Sequence, residues 1–156
     1  MITLHAHPVP AQLWFAATPP HGGEGPNEQQ ADSDLDARSL RVLIVEDEFF
    51  ISLDMQNLVQ GLGHAVVGIA ISAADAVRMA QSERPDVALV DIRLIGPRDG
   101  IDAAGEMFNR FGIPSLFVTA NTDPHTRSRA QAVHPLGFLE KPVTAQRLRV
   151  GLRAVP

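Results

Sequence analysis

The sequence lacks several features that would indicate particular classes of protein. It contains no cysteine, which excludes disulfides, zinc–thiolate sites and thiol chemistry. Its apolar runs are far too short to cross a bilayer, and its N-terminus has neither the basic region nor the apolar core of a signal peptide. It also has no excess of basic residues, because the net charge is −5 and the pI is about 5.6. We therefore expect a soluble cytoplasmic protein whose partners are neither nucleic acid nor membrane.

The chain is long enough for one ordinary domain, with 156 residues of which 45% are hydrophobic. Residues 1–39 differ from the rest, since they are rich in Pro, Gly, Gln and Ala and show no sustained period. Such a segment cannot bury enough apolar surface to offset its ordering entropy. We expect a flexible tail over residues 1–39 and a folded domain over residues 40–156. The triplet LWF at 13–15 could dock on the domain or on a partner, although a stray apolar cluster is the more common explanation.

From Leu40 onward, apolar runs alternate with segments of helical spacing. The five predicted strands are RVLIV (41–45), HAVVGIA (64–70), DVALV (86–90), PSLFVT (114–119) and LGFLE (136–140). Each is followed by a predicted helix, and Ser72, Asp123 and Thr144 are candidate N-caps. This alternation predicts a doubly wound α/β fold, in which five parallel strands carry helices on both faces.

Chemically capable side chains stand where four of these strands end. Glu46 and Asp47 follow the first strand, Asp91 the third and Lys141 the fifth, while Thr119 ends the fourth. In doubly wound folds, binding sites form at the carboxyl ends of the strands. We therefore expect these five side chains to lie close together.

The residue types in this group suit the chemistry of a phosphoryl group. Three converging carboxylates repel one another unless a cation neutralises them, and a set of oxygen ligands without His or Cys suits Mg²⁺. Lys141 adds a positive charge and Thr119 a hydroxyl donor. The group predicts that Asp91 acts as a nucleophile that forms an acyl phosphate. Each residue alone has a plainer explanation as part of an acidic turn, a Lys-Pro turn or a strand-end cap.

Four motifs now match a known family. From about Arg41 to Leu152 the chain resembles the receiver domain of bacterial two-component response regulators. The motifs are LIVEDE (43–48), ALVDIRL (88–94) with DG at 99–100, LFVTA (116–120) and GFLEKP (137–142). The resemblance implies a flavodoxin-like sheet of order 2-1-3-4-5. It also implies phosphorelay signalling, in which a sensor histidine kinase or phosphotransfer protein supplies the phosphoryl group.

The resemblance also implies roles for individual residues at the acceptor. Asp91 would be the phospho-acceptor. Magnesium would be held by Glu46, Asp47 and Asp91 together with the backbone carbonyl of Arg93. Asp47 would bind the ion more directly than Glu46, which would act chiefly through water. The chain would be no enzyme beyond its own Mg²⁺-dependent phosphorylation and dephosphorylation.

Further roles follow for the last two strands. Thr119, the Ala120 amide and Lys141 would contact the phosphoryl oxygens, and the Lys141–Pro142 peptide is expected to be cis. Thr119 and Phe138 would form the switch pair. The stretch FVTAN (117–121) resembles a subgroup common in alphaproteobacterial receivers, which carries Phe two residues before the Thr.

Nothing follows residue 156, so we expect no output domain and a signal that leaves through a changed surface. The expected face comprises the fourth helix, the fifth strand and the fifth helix. It would bind a downstream protein or a second copy of the chain. Four arginines are expected on this face: Arg127, Arg129, Arg147 and Arg149.

Three alternatives remain open at this point. A receiver-like scaffold that accepts no phosphate would carry the same fold. A haloacid-dehalogenase type of phosphohydrolase would need a second Asp two residues after Asp91, where this chain has Arg93. A flavodoxin-like cofactor binder would need a phosphate-cradling loop after the first strand, where this chain has the acidic stretch EDEFF (46–50).

Overall fold

The computed structural model describes residues 38–120 and 123–156. The prediction of a flexible tail over residues 1–39 falls almost entirely outside these ranges and stays a prediction. Within them, no helix combines the length and the apolar character that a membrane crossing requires.

The described chain forms a five-stranded parallel sheet with helices on both faces. The strands are β1 (Arg41–Val45), β2 (Ala65–Ala70), β3 (Val87–Asp91), β4 (Ser115–Thr119) and β5 (Gly137–Glu140). The helices are α1 (Phe49–Gly61), α2 (Ala73–Glu83), α3 (Gly100–Phe111), α4 (Pro124–Gln131) and α5 (Ala145–Leu152). The strand order is β2-β1-β3-β4-β5, and every pairing is parallel. The predicted fold class and strand order are therefore confirmed.

The central strands form because their side chains are buried on both faces of the sheet. Every residue of β3 and of β4 is buried, as are the last four of β1. Such strands appear in a sequence as continuous apolar runs, which is why their positions were predictable to within one residue. The run ending in β3 extends one residue beyond its prediction, so Asp91 itself is the last residue of the strand. Its carboxylate is thereby fixed by the sheet and not by a loop.

Two apolar layers hold the helices against the sheet. The first joins the sheet to α2, α3 and α4 through residues such as Ala76, Ile101 and Ala130. The second joins the opposite face to α1 and α5 through Met55 and Leu148. Helices are thus fixed on both sides of the strands, and the carboxyl edge of the sheet is left for the site.

Side-chain caps fix where four of the helices begin. The predicted caps Ser72, Asp123 and Thr144 each accept a hydrogen bond from a backbone N–H in the first turn of their helix. Asp99 does the same for α3 and forms a capping box with Asp102. The start of α3 is thereby fixed only a few residues after Asp91.

Gly100 allows α3 to begin close against the end of β3. Its amide donates to the Ile92 carbonyl at 3.0 Å, and a Cβ at this position would overlap the carbonyl oxygen of Asp91. A side chain here would have to displace the backbone that carries the Asp91 carboxylate.

We predict that Gly100→Ala destabilises the fold by about 1–3 kcal/mol, the usual cost of forcing a methyl group into a packed site. The measurement is urea unfolding followed by circular dichroism. Gly61→Ala is the matched control, because a Cβ at Gly61 meets nothing within 4 Å. The control should be neutral or slightly stabilising, since Ala is the better helix former. Equal stability of the two variants would contradict the close approach.

Candidate functional site

The predicted site residues gather at the carboxyl edge of the sheet. Asp91 ends the central strand β3, with Glu46 and Asp47 directly after β1 on one side. On the other side, Thr119 ends β4 and Lys141 directly follows β5. The parallel arrangement places all four strand ends at the same edge, as the sequence predicted.

Lys141 links three of these strands through one ammonium group. Its Nζ donates to Glu46 Oε2 at 2.7 Å and to Asp91 Oδ2 at 2.8 Å. The Glu46 side chain is fully buried, and the side chains of Asp91 and Lys141 are 7% and 16% exposed. The backbone N–H of Lys141 also donates to the Thr119 carbonyl at 2.9 Å, and the Lys141–Pro142 peptide is cis. The position of Lys141 is therefore fixed by a backbone hydrogen bond as well as by the ion pairs of its ammonium group.

Three carboxylates lie close enough to share one cation. Glu46, Asp47 and Asp91 each offer an oxygen, and these oxygens all lie within 4.8 Å of one another. Asp47 is half-buried, and its Oδ2 accepts a hydrogen bond from the Ile95 amide at 3.2 Å. Since all three donors are carboxylate oxygens, the cluster fits a hard divalent cation such as Mg²⁺.

Burial and pairing act in opposite directions on the charges of the site. Burial raises the pKa of the Glu46 carboxyl, and hydrogen bonds from Lys141 and from the Glu48 amide offset only part of this effect. Burial alone would lower the pKa of Lys141, but its hydrogen bonds to Asp91 and Glu46 outweigh burial and raise it. Lys141 is therefore a cation at neutral pH, and its ammonium lies against two carboxyl groups, those of Glu46 and Asp91.

Arg93 contacts the site through its backbone amide. Its amide donates to Asp91 Oδ1 at 3.0 Å, and its side chain is exposed. The two oxygens of Asp91 are thus engaged by different partners, one by Arg93 and one by Lys141. The predicted role of the Arg93 carbonyl as a metal ligand stays a prediction.

The strands β4 and β5 carry the predicted switch residues, Thr119 at the end of β4 and Phe138 within β5. Thr119 is buried and Ala120 beside it is exposed. Phe138 is half-buried and stacks on Phe117, with ring centroids 5.6 Å apart and planes inclined by 26°. The Arg127 guanidinium lies over the Phe138 ring, with its Cζ 5.1 Å from the centroid. An aromatic stack therefore connects the interior of β4 to a surface arginine.

One arginine of the predicted output face is directed elsewhere. The Arg129 guanidinium pairs with Asp99 at 2.9 Å and with Asp102 at 3.6 Å, so it faces the start of α3. Arg129 lies on α4, as expected, but its guanidinium is turned away from β5 and α5. The sequence contains no local signal for this pairing, because Asp99 lies 30 positions away along the chain.

An apolar rim beside the acidic cluster was not predicted. Five large apolar side chains near the site are 40–83% exposed: Phe49, Phe50, Leu53, Ile71 and Ile95. A groove of about 280 Å³ contains three of them and runs down to Glu46 and Asp47. The adjacent phenylalanines of EDEFF were the available signal, because a helix that begins with two aromatics directly after the acidic pair exposes at least one of them beside the site.

Comparisons with known proteins agree with this architecture. The family model described as the response regulator receiver domain matches residues 42–153. The phyllosphere-induced regulator PhyR of Methylorubrum extorquens is 42% identical over 80 residues, which cover 51% of this chain and 30% of PhyR. The transcriptional regulatory protein PdtaR of Mycobacterium tuberculosis is 34% identical over 102 residues, which cover 65% of this chain and 49% of PdtaR. The chain thus spans less than half the length of these two relatives.

A solved structure extends the comparison to three dimensions. The signal receiver domain of a modulated diguanylate cyclase from Desulfovibrio desulfuricans superposes with a TM-score of 0.73 at 36% identity. The match covers 76% of this chain and 94% of that domain. The described fold is therefore similar to a receiver domain over nearly the whole of that domain.

We predict that Lys141→Met destabilises the fold by about 3 kcal/mol at pH 8, because it leaves two buried carboxylates without their cation. Without Lys141 the Glu46 carboxyl loses the hydrogen bond that offsets part of its burial, so its pKa, already raised by burial, rises further above the unfolded value. The folded state is then favoured at low pH and loses stability as the pH rises through the raised pKa of Glu46. The loss of stability in Lys141→Met relative to the wild type should therefore be smaller at pH 5, and Mg²⁺ should reduce this loss at pH 8. Thermal unfolding of both proteins at both pH values measures the difference.

The matched control is Arg78→Met, which removes an exposed ion pair with Asp75 on α2. Exposed pairs contribute little, so this variant should unfold like the wild type at both pH values. Equal effects of the two substitutions, or no dependence on pH for Lys141→Met, would contradict the role given to the shared ammonium.

Proposed function

Because the chain belongs to the response regulator receiver domain family, we propose that it accepts a phosphoryl group on Asp91 and signals through a changed protein-binding surface. One observation carries the proposal. A single ammonium, that of Lys141, lies within hydrogen-bond distance of both Asp91 and Glu46, at the edge where three carboxylates converge. A buried acceptor with a fixed cation beside it is the arrangement that phosphoryl transfer to a carboxylate needs.

The acidic cluster is the proposed metal site. Asp47, Asp91 and the carbonyl of Arg93 would hold Mg²⁺, with Glu46 acting chiefly through water. All of these donors are oxygens, which is the set that Mg²⁺ prefers. The bound ion would supply positive charge to the oxygens of the phosphoryl group during its transfer. Its presence would also offset the carboxylate repulsion that a single ammonium leaves in part uncompensated.

The proposed transfer forms one bond and breaks another. A carboxylate oxygen of Asp91 attacks phosphorus, and the bond from phosphorus to the donor breaks. For a phosphohistidine donor the leaving atom is an imidazole nitrogen, and for acetyl phosphate it is a carboxylate oxygen. Lys141, already beside Asp91 Oδ2, would follow the charge onto the phosphoryl oxygens.

Thr119 and the Ala120 amide would bind the remaining phosphoryl oxygens. Thr119 is the last residue of β4, is buried, and ends its strand at the same edge of the sheet as Asp91. A hydroxyl can donate a hydrogen bond to an oxygen, so that of Thr119 would donate to an arriving phosphoryl group. The amide of Ala120 follows it directly in the chain.

The output would leave through α4, β5 and α5. The backbone hydrogen bond from Lys141 to Thr119 joins the ends of β4 and β5, and Phe138 on β5 stacks on Phe117 of β4. A shift of Thr119 toward the phosphoryl group would therefore displace Phe138 and the Arg127 guanidinium that lies over its ring. This face would bind a downstream protein or a second copy of the chain.

The phosphoryl donor would be a sensor histidine kinase or a phosphotransfer protein that docks on the apolar rim. Phe49 and Phe50 are 70% and 78% exposed beside the acidic pair, and Ile95 is 83% exposed after Asp91. Exposed apolar groups clustered around a reactive centre mark a contact surface. A partner seated there would also exclude water from the transferring group.

We predict that acetyl phosphate and Mg²⁺ label the chain once, on Asp91. Intact-mass spectrometry should show a single phosphate adduct in the wild type and none in Asp91→Asn, because an amide is not a nucleophile here. Asp54→Asn is the control, since Asp54 is an exposed carboxylate on α1 and should not change the labelling. Unchanged labelling of Asp91→Asn would exclude Asp91 as the acceptor. No labelling of the wild type would favour a receiver-like scaffold that accepts no phosphate.

A further inference from the structure

A wide groove separates β5 from α5 on the proposed output face. It has a volume of about 820 Å³ and extends to Ala154 near the end of the chain. Its apolar surface includes Leu116, Phe138 and Val150, and Val150 is 61% exposed. Gly151 faces Leu116 so closely that a Cβ would lie 2.7 Å from the Leu116 side chain, and this contact brings α5 down onto the sheet beside the groove.

The charges around this groove are mostly positive. Arg127 and Arg147 line it, and Glu140 is the acidic side chain among its lining residues. Arg149 lies on the same helix as Arg147 and is exposed. Neither Arg147 nor Arg149 forms an ion pair with a residue of the described ranges, whereas Arg129 is neutralised by Asp99 and Asp102. The groove therefore offers an apolar floor with an excess of positive charge.

The part of the chain before Arg38 has the complementary charge. All 13 basic residues of the protein lie at or after Arg38, and five of the 18 acidic residues lie before it. Residues 38–156 are thus formally neutral, and residues 1–37 carry the whole net charge of −5. Three of the acids stand together at Asp32, Asp34 and Asp36, and the segment also holds the apolar triplet LWF at 13–15.

Arg38, the first described residue after this acidic segment, contacts the end of the chain close to the groove. The Arg38 guanidinium donates to the Pro156 carbonyl at 2.9 Å, two residues from Ala154 in the groove lining. Phe15 stands 23 residues before Arg38, and a linker of that length reaches about 25–30 Å even without being fully extended. The eight-residue helix α5 along the groove is only about 12 Å long. Residues 13–15 can therefore reach any part of the groove.

We infer that residues 1–37 bind back onto this groove. Trp14 and Phe15 occupy the apolar floor beside Val150 and Phe138, and the acids at 32–36 face the arginines. The sequence alone gave no reason to prefer docking over a stray apolar cluster. Charge complementarity and the position of Arg38 close to the groove supply that reason. Docking does not depend on the proposed function, but its consequence does: the segment would cover the output face until a partner displaced it.

The experiment uses the fluorescence of Trp14, the only tryptophan of a chain that has no tyrosine. The full-length protein is titrated with acrylamide, and a synthetic peptide of residues 1–37 is the exposed reference. The quenching constant of the protein should be about threefold lower than that of the peptide, because a docked indole buries most of its surface. Raising the salt concentration should narrow this difference, since the arginine–carboxylate contacts are exposed to screening.

Matched variants locate the contact on the groove. Val150→Asp places a carboxylate on the apolar floor, and Ile71→Asp is the control, because Ile71 is also 61% exposed but lies between β2 and α2. Arg147→Glu is a second groove variant that leaves the apolar floor intact. Both groove variants should raise the quenching constant toward that of the peptide, and Ile71→Asp should not. Circular dichroism checks that each variant is folded.

Three outcomes would overturn the inference. Wild-type quenching equal to that of the peptide would show that Trp14 is not docked. Protection that disappears on dilution would identify a second copy of the chain as the occupant. Protection that survives both groove variants would place Trp14 on another surface. None of these measurements involves phosphorylation of Asp91, so a failure of the docking inference leaves the proposed function standing. Equally, a failure of Asp91 to accept phosphate would leave the docking inference standing.

Discussion

The ammonium of Lys141, held between the buried carboxylates of Glu46 and Asp91, is the interaction on which the site depends. It draws together the ends of β1, β3 and β5, and its own backbone is bonded to the end of β4. One cation against three converging carboxylates leaves the site short of positive charge. A divalent cation would fit that deficit, and in the proposed function an arriving phosphoryl group would engage both cations at once.

The sheet and its loops place this interaction at one edge. Parallel pairing brings every strand end to the same side, and the order β2-β1-β3-β4-β5 puts Asp91 at the centre. Gly100 lets α3 start against the Asp91 backbone, and Asp99 caps that helix while it also pairs with Arg129 of α4. Asp91 is thus tied mechanically to α4 as well as to β5. A local change of charge therefore has two routes to the same outer face.

Much of this architecture could be predicted from the sequence, and the reason is physical. Strands buried on both faces, such as β3 and β4, appear as continuous apolar runs, and the residues that end them fall at one edge of a parallel sheet. Contacts between distant surface residues leave no such pattern. The pairing of Arg129 with Asp99 and the groove beside Gly151 arise only when α4 and α5 have packed on the sheet. The roles of Asp91 and Lys141 were predicted from their residue types and their strand-end positions, whereas those of the Ala120 amide and the Arg93 carbonyl were predicted from resemblance alone, and all of them stay predictions.

The most direct test is an amide NMR spectrum of the nitrogen-labelled chain before and after acetyl phosphate is added with Mg²⁺. The account predicts shifts of Thr119 and Lys141 at the site, together with shifts of Phe138 and Arg127 on the outer face. Asp91→Asn should show none of the phosphate-dependent changes. Shifts confined to the loops after β1 and β3, with β5 and α4 unchanged, would contradict the claim that charge at Asp91 is transmitted to the output face.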